Sequence, residues 1–237
     1  MFNQIFPTIK TIYLTMFSFL LFTNSAYADS PLTSTDIATP YEDIDIVSQV
    51  KNNKKFDETV LNFLLTNASL DQKVAVINGL GWNIDGQNNG YLFLEGLAIS
   101  KGIKIDNLTI QDLNYSDKFV LGYLLAMDDY FNLSPIDINS SNPLFRITPL
   151  ELLTSVVLEL PDDFTAHFIL ALVQGQISLD NPQHWCNIYQ IHKLVLREFP
   201  PTKRNLRPSA VENIMDYISI YADYCVGNSV NLELKPR

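Results

Sequence analysis

The chain has 237 residues, of which 47% are hydrophobic and 18% charged, and its formal net charge is −10 at pH 7. Because nearly half of the residues are apolar, the chain has enough apolar side chains for a packed core. The acidic balance argues against nucleic-acid binding, which needs a basic face to neutralise phosphates. It would attract a basic protein partner, or it serves only to keep the protein soluble.

Residues 1–28 have the features of a secretory signal peptide. Lys10 provides a short positive region, residues 12–22 are mostly apolar, and residues 26–28 supply small side chains where signal peptidase cleaves. The apolar run is shorter than the roughly 20 residues that span a bilayer, which disfavours an uncleaved anchor. We therefore expect an exported mature chain that begins at Asp29 and has no membrane span.

Five N-x-Ser/Thr sequons occur in this sequence, some of them beside predicted core helices. They would carry sugar only in a secretory pathway that transfers oligosaccharides. The pattern fits better with a host that does not use them. We therefore expect a bacterial periplasm as the destination, with secretion as the alternative.

The start of the mature chain differs in composition from the remainder. Residues 29–40 are rich in Ser, Thr, Pro and Asp and have little to bury, which predicts a flexible leader. Residues 41–228 are assigned to a single α-helical domain, and residues 229–237 to a frayed tail. Apolar spacing predicts the first helices at residues 41–51 and 56–66.

The stretch with the clearest helix and turn signals runs from Ser69 to Gly102. Ser69 followed by Gln72 matches a capping box and predicts a helix start. The Asn- and Gly-rich residues 83–90 then predict a tight turn. A second apolar segment, residues 91–100, ends before Gly102, a typical C-terminal cap. The expected structure is a helical hairpin with a polar tip.

The second half of the chain contains further helix signals. Residues 103–113 are ambiguous between a short strand and a loose helix, and residues 134–147 form a Pro- and Asn-containing loop. Five more helices are predicted, at residues 115–133, 148–160, 162–177, 182–199 and 210–226. Ser116 is the predicted N-cap of the first of these, and Thr148 that of the second, with Pro149 at its first position. Asp162 and Asp163 open the third.

These elements predict an all-α protein of about nine helices. Apolar helices centred near Ile77, Leu124 and Ile169 recur at intervals of about 45 residues, a length seen in solenoids of helical hairpins. The helices between them are unevenly spaced. A compact orthogonal bundle and a short array of helical hairpins are therefore both compatible with the pattern.

Cys186 and Cys225 are the only two cysteines. In an exported chain an even number favours a disulfide, with two buried free thiols as the alternative. His184 and His192 lie near Cys186 in sequence, but their spacing matches no tight metal-ligand pattern. We predict a Cys186–Cys225 disulfide and no metal site.

The loop that starts at Asp85 resembles a calcium-binding loop in composition but not in spacing. Gly90 occupies the sixth position, yet the twelfth is Gly96, and Glu95 falls one residue short. A plain polar turn is favoured. Phosphate-loop, dinucleotide-binding, G-x-S-x-G and H-E-x-x-H motifs are also absent from the sequence, so no cofactor is predicted.

Acid–base candidates are few. Asp128–Asp129 and Asp162–Asp163 are adjacent pairs, and neighbours on a helix point about 100° apart, so they do not share a site. His167 lies within the most apolar predicted helix. It is interpreted as a core residue, with a buried general base or pH switch as the minor alternative.

The main functional hypothesis is an exported, non-enzymatic module that binds a basic protein. An immunity-type protein that neutralises a partner delivered to the envelope is one such case. The alternatives are an envelope hydrolase or lyase on a helical scaffold that uses His167, and a structural helper of the envelope. The predicted binding residues are Asp85, Gln87, Asn88, Asn89, Asp128 and Asp129.

Overall fold

A computed structural model describes residues 30–225, and within this range the chain forms nine α-helices and no β-strand. The predicted all-α class is thereby confirmed. The predicted signal peptide and tail lie outside the described residues. The helices are α1 (Asp45–Asn53), α2 (Glu58–Leu64), α3 (Leu70–Leu80), α4 (Asn89–Lys101), α5 (Tyr115–Asp128), α6 (Pro149–Glu159), α7 (Phe164–Ser178), α8 (Trp185–Glu198) and α9 (Pro208–Ile218). None of them is long and apolar enough to cross a membrane.

Three helices, α3, α5 and α7, form the centre of the fold. They contact one another, and most of their side chains are buried. They contain the positions Ile77, Leu124 and Ile169, all of which are inaccessible to solvent. The recurring apolar helices of the sequence therefore mark the core, because a helix that is apolar on nearly every face is stable only when covered on every face.

The remaining helices cover these three. Helix α6 packs between α5 and α7, α8 packs on α7, α1 packs on α3, and α4 packs on α5. The predicted hairpin of α3 and α4 is not a packed pair. Helix α3 lies against α1 and α5, and α4 lies mainly against α5, so the two helices share a neighbour instead of packing on each other.

Two predicted helix starts are confirmed at the residue level. The Thr148 hydroxyl accepts a hydrogen bond from the Glu151 amide, and the Glu151 carboxylate accepts one from the Thr148 amide, with Pro149 at the first helical position. Asp163 caps α7 by accepting from the Ala166 amide. These reciprocal bonds satisfy amide groups that a helix cannot pair internally.

Two other predicted caps are wrong. Ser69 precedes α3, but its side chain makes no capping hydrogen bond, so the capping box with Gln72 does not form. Helix α5 is capped by Asn114 rather than Ser116. The Asn114 side chain accepts from the Asp117 amide at 2.9 Å, and the Asp117 carboxylate accepts from the Asn114 amide at 3.2 Å.

Several boundaries also differ from the sequence prediction. Helix α5 ends at Asp128 instead of residue 133, and the ambiguous residues 103–113 form two short 3₁₀ turns rather than a strand. The last predicted helix is split, because α9 ends at Ile218 and the chain continues as a 3₁₀ helix, Ser219–Cys225. The predicted cap at Gly102 is confirmed, with a positive φ of 66°.

The predicted flexible leader is packed wherever the structure describes it. Leu32 and Ile37 are fully buried. Asn78 on α3 holds the segment, because its side-chain oxygen accepts from the Ile37 and Ala38 amides at 2.9 and 3.0 Å, and its amide donates to the Thr35 carbonyl. The composition of this segment indicates little to bury, but it carries no information on the Asn78 side chain that pairs its backbone amides and carbonyl.

The segment before α1 is also joined to the segment before α9. The Tyr41 hydroxyl donates to the Asp71 carboxylate at 2.9 Å and accepts from the Arg207 amide at 2.9 Å. The Arg207 guanidinium lies 4.3 Å from the centre of the Tyr41 ring, donates to the Pro40 carbonyl and pairs with Asp43. The first and last parts of the described fold are therefore in direct contact.

Cys186 on α8 and Cys225, the last described residue, lie at disulfide distance, with Sγ atoms 2.11 Å apart. This agrees with the predicted pairing. The bond fastens the 3₁₀ helix that follows α9 onto α8, where Trp185 packs edge-on against Tyr221 and Tyr224.

We expect the double substitution Cys186→Ala and Cys225→Ala to lower the free energy of unfolding by about 4 kcal/mol, because the bond restricts a loop of about 40 residues in the unfolded chain. Urea denaturation of the oxidised protein and the variant measures the difference. Reduction of the unsubstituted protein should produce a loss of similar size. Equal midpoints for all three samples would contradict the prediction.

Candidate functional site

The loop between α3 and α4 lies against the end of α5. The Gln87 amide donates to the Asp128 carbonyl at 2.9 Å, and the Gly90 amide donates to the Asp128 carboxylate at 2.7 Å. The structure thus brings together the two sequence-distant groups of predicted binding residues. We call this end of the fold, built by residues 81–91 and 125–140, the tip.

The predicted binding residues are not equally available at the tip. Asp85 and Asn88 are exposed, whereas Gln87 is half-buried and pairs with the Asn89 side chain at 3.0 Å. Asp128 is only 5% exposed. Its carboxylate accepts from the first turn of α4, so the structure gives it a capping position rather than that of a surface charge.

Asp128 and Asp129 are neighbours with opposite pKa shifts. Burial raises the pKa of Asp128 to about 6, and hydrogen bonds from Gly90 and Asn89 offset only part of that rise. Burial also raises the pKa of Asp129, but hydrogen bonds from Ser134 and Asn132 outweigh it, so the result lies below the ordinary value. Neither shift is caused by the neighbouring carboxylate, because burial and hydrogen bonds to other residues account for both.

We expect the free energy of unfolding of the Asp128→Asn variant, relative to that of the parent, to be higher at about pH 7.5 than at about pH 4.5. The folded pKa of Asp128, about 6, exceeds its ordinary value of 3.8, so the native state gains stability by binding a proton as the pH falls through this window. Asparagine is neutral throughout and lacks that gain. The difference in the free energy of unfolding between variant and parent should change by about 3 kcal/mol at most between the two pH values. Urea denaturation at both pH values measures it.

Asp129→Asn provides the matched control. The folded pKa of Asp129 is lowered, so its carboxylate contributes stability above the ordinary pKa, and that contribution is lost only as the pH falls through the folded pKa. The control should therefore destabilise the protein equally at both pH values. A pH-independent effect of Asp128→Asn as well would contradict the assigned shift.

The tip also exposes large apolar side chains. Ile84, Phe131 and Ile138 are 70%, 61% and 71% exposed. Phe131 extends an aromatic row, because Tyr130 lies 5.1 Å from both the Trp82 and the Phe131 ring centres. The sequence analysis did not select these residues. Their position in otherwise polar loops was the available signal, since such residues have no core to enter.

A small cavity separates the α3–α4 loop from the segment that follows α5. Its volume is about 160 Å³, and its walls include Gln87, Asn88, Asp129 and Ser134. Tyr91 also lines it and packs edge-on against Phe145 at 6.4 Å between ring centres. The cavity places residues 134–136 beside the predicted binding loop, so Asp137 and Ile138 belong to the same end of the fold.

The charged side chains of the tip residues are all carboxylates. Residues 81–91 and 125–140 contain four Asp residues and no Lys or Arg, although the Lys54 ammonium lies beside Gly81 and donates to the Gly79 carbonyl. Helices α3 and α5 direct their C-terminal, partially negative ends toward the tip, and α4 begins there with its partially positive end, which the Asp128 carboxylate caps. We define the tip surface as the set of exposed or half-exposed residues Ile84, Asp85, Asn88, Asp129, Phe131, Asp137 and Ile138.

Within residues 30–225, no three His, Cys, Asp or Glu side chains converge in a way that could hold a metal ion. The loop at Asp85 is an ordinary turn, in which the Asn83 side chain accepts from the Asp85 amide at 3.0 Å. Cys186 is paired with Cys225, so it offers no thiolate beside His184.

His167 is half-buried on α7, and its Nε2 lies 3.2 Å from the Pro161 carbonyl oxygen. Burial lowers its pKa, while Glu198 and Asp163 act in the opposite direction. Phe199 covers the ring, with the two ring centres 5.1 Å apart. The Pro161 carbonyl can only accept a hydrogen bond, so in the neutral ring Nε2 donates to it and Nδ1 is the acceptor nitrogen.

His192, by contrast, is completely buried. Its Nδ1 lies 2.7 Å from the Ile188 carbonyl, and burial lowers its pKa to about 4. The imidazole is therefore neutral at pH 7 and packs edge-on against Phe168 as part of the core.

No family model matches this chain, and comparisons with curated proteins and with solved structures likewise yield no match.

Proposed function

We propose that this protein is an exported, periplasmic binding module whose tip surface engages a basic protein. An immunity-type role, in which the partner is delivered into the envelope and neutralised there, is the form of this function that the charge favours. One observation carries the proposal. The tip exposes three large apolar side chains, Ile84, Phe131 and Ile138, and the charged residues of its two segments are all Asp.

Such a surface has the composition of a protein interface. Interfaces take most of their energy from a few aromatic or large apolar side chains, surrounded by a polar rim that excludes water. Phe131 supplies the aromatic group, and Asp85, Asp129 and Asp137 supply a rim of uniform sign. A partner with matching Lys and Arg residues would be steered to this end of the molecule by the long-range field.

The charge of the whole chain supports the same partner. Residues 29–180 contain 21 acidic and 8 basic residues, whereas residues 181–237 contain 5 acidic and 7 basic ones. The negative charge therefore lies in residues 29–180, which include the tip and also the opposite end of the fold. A basic partner would associate faster with this part, and added salt would slow that association.

We expect the triple substitution Asp85→Lys, Asn88→Lys and Asp137→Lys to weaken partner binding at least about tenfold, which corresponds to about 1.4 kcal/mol. The reason is the reversed sign of the rim. The partner is isolated by pull-down with the predicted mature chain from the cells that produce it, and the purified pair is then titrated calorimetrically.

The control is a second triple, Glu58→Lys, Asn62→Lys and Glu212→Lys. These residues are exposed on α2 and α9, away from the tip, and both triples change the net charge by the same amount. Only a partner that is retained by the control, lost by the tip triple and released in about 0.5 M salt, where the Debye length is about 4 Å, supports the proposal. Equal binding by both triples would refute the tip as the binding surface.

We also expect Phe131→Ala to weaken the same complex at least about tenfold without lowering the thermal midpoint of the free protein, because a side chain that is 61% exposed contributes little to the core. Ile99→Ala, on a 75% exposed position of α4, should leave both the affinity and the thermal midpoint unchanged. Unaltered affinity of the Phe131 variant would exclude an apolar contact at this position.

A further inference from the structure

A buried lysine contacts a serine hydroxyl between the central helices. Lys73 on the first turn of α3 is 1% exposed, and its Nζ lies 2.6 Å from Oγ of Ser116 on the first turn of α5. Fully buried lysines are rare, because removing an ammonium group from water is costly. The mechanism proposed for the tip surface makes no use of either residue.

The same serine lines a cavity at the start of the central helices. A cleft of about 430 Å³ is lined by Ser116, Tyr115, Ser69, Asn67, Asp163 and Asn205, and it opens where α3, α5 and α7 begin. Ser116 is half-exposed, whereas Lys73 lies behind it in the protein interior. A ligand in the cleft would therefore meet the hydroxyl and not the amine.

Burial lowers the pKa of Lys73, although the nearby Asp117 carboxylate acts in the opposite direction. Asp117 is itself engaged, since it caps α5 and lies 3.7 Å from the Lys101 ammonium. A lysine that can lose its proton becomes an acceptor. The 2.6 Å contact then permits the Ser116 hydroxyl to donate to Nζ, which is the arrangement that activates a serine.

We propose that Ser116 and Lys73 form a nucleophile–base pair that hydrolyses a carboxylic ester bound in this cleft. The Ser116 oxygen bonds to the ester carbonyl carbon while its proton passes to Lys73 Nζ. Collapse of the tetrahedral intermediate breaks the carbon–alkoxy bond, and Lys73 returns the proton to the departing alcohol. Water then attacks the acyl-serine, again through Lys73, which releases the carboxylic acid and restores the hydroxyl.

The start of α3 supports this chemistry. Ser69 leaves the first amides of the helix without a side-chain cap, and both Ser69 and Leu70 line the cleft. Uncapped amides at a helix start carry partial positive charge and stabilise the oxyanion that forms on the carbonyl oxygen.

The test is covalent labelling with a biotinylated fluorophosphonate, followed by peptide mass spectrometry of the predicted mature chain, Asp29–Arg237. The Ser116 oxygen should bond to phosphorus with loss of fluoride and of the serine proton. We expect one label per chain, on Ser116, and hydrolysis of p-nitrophenyl acetate that the label abolishes. Absence of labelling at saturating probe would overturn the proposal.

Variants separate a catalytic pair from a structural contact. Ser116→Ala should lose labelling completely, whereas Ser209→Ala, at an exposed position of α9 outside the cleft, should label at the rate of the parent. Lys73→Met keeps a buried aliphatic chain but cannot accept a proton, and its labelling rate should fall about 100-fold. Circular dichroism verifies that each variant is folded. Retained labelling of Ser116→Ala, or an unchanged rate in folded Lys73→Met, would refute the pair.

This activity is independent of the tip surface, because the cleft lies at the opposite ends of α3 and α5. Ser116→Ala should therefore bind the basic partner as the parent does, and the tip triple should still accept the label. The two proposals can fail separately.

Discussion

Burial of three apolar helices is the constraint on which the remainder of this structure depends. Helices α3, α5 and α7 have few polar faces, so water must be excluded from them in nearly every direction. The other helices supply the cover, and so does the segment around Leu32 and Ile37. Some polar groups in this interior are paired, as Asn78 is with the backbone of residues 35–38. Others are buried without a hydrogen-bond partner, among them Oε1 of Gln176 and Nε2 of His192.

The same arrangement gives the molecule two chemically different ends. At one end α3, α5 and α7 begin, and their first turns surround a cleft with Ser116. At the other end α3 and α5 finish, and the carboxylates of the tip add to the partial negative charge of the helix ends. The separation is a consequence of helix direction, because parallel central helices bring like ends together.

Much of the fold could be predicted from the sequence, because it depends on patterns that are local in the chain. The apolar helices around Leu124 and Ile169 and the cap at Thr148 are examples. Features that depend on long-range contacts could not be predicted. From the sequence alone, Asp128 is interpreted as a surface charge, and only the fold places the start of α4 against it. Ser116 is likewise predicted to be a helix cap, and its contact with Lys73 on α3 depends on the packing of the two helices.

The contact of Tyr41 with Arg207 has a consequence for how the protein comes apart. Linear arrays of helices lose their terminal units first, because each unit is held by one neighbour only. Here the Arg207 amide and guanidinium engage the Tyr41 ring and hydroxyl, and Asn213 on α9 donates to the Asp36 carbonyl. The first and last parts of the described fold therefore have partners on two sides. Neither part can detach without breaking these contacts, which favours cooperative unfolding.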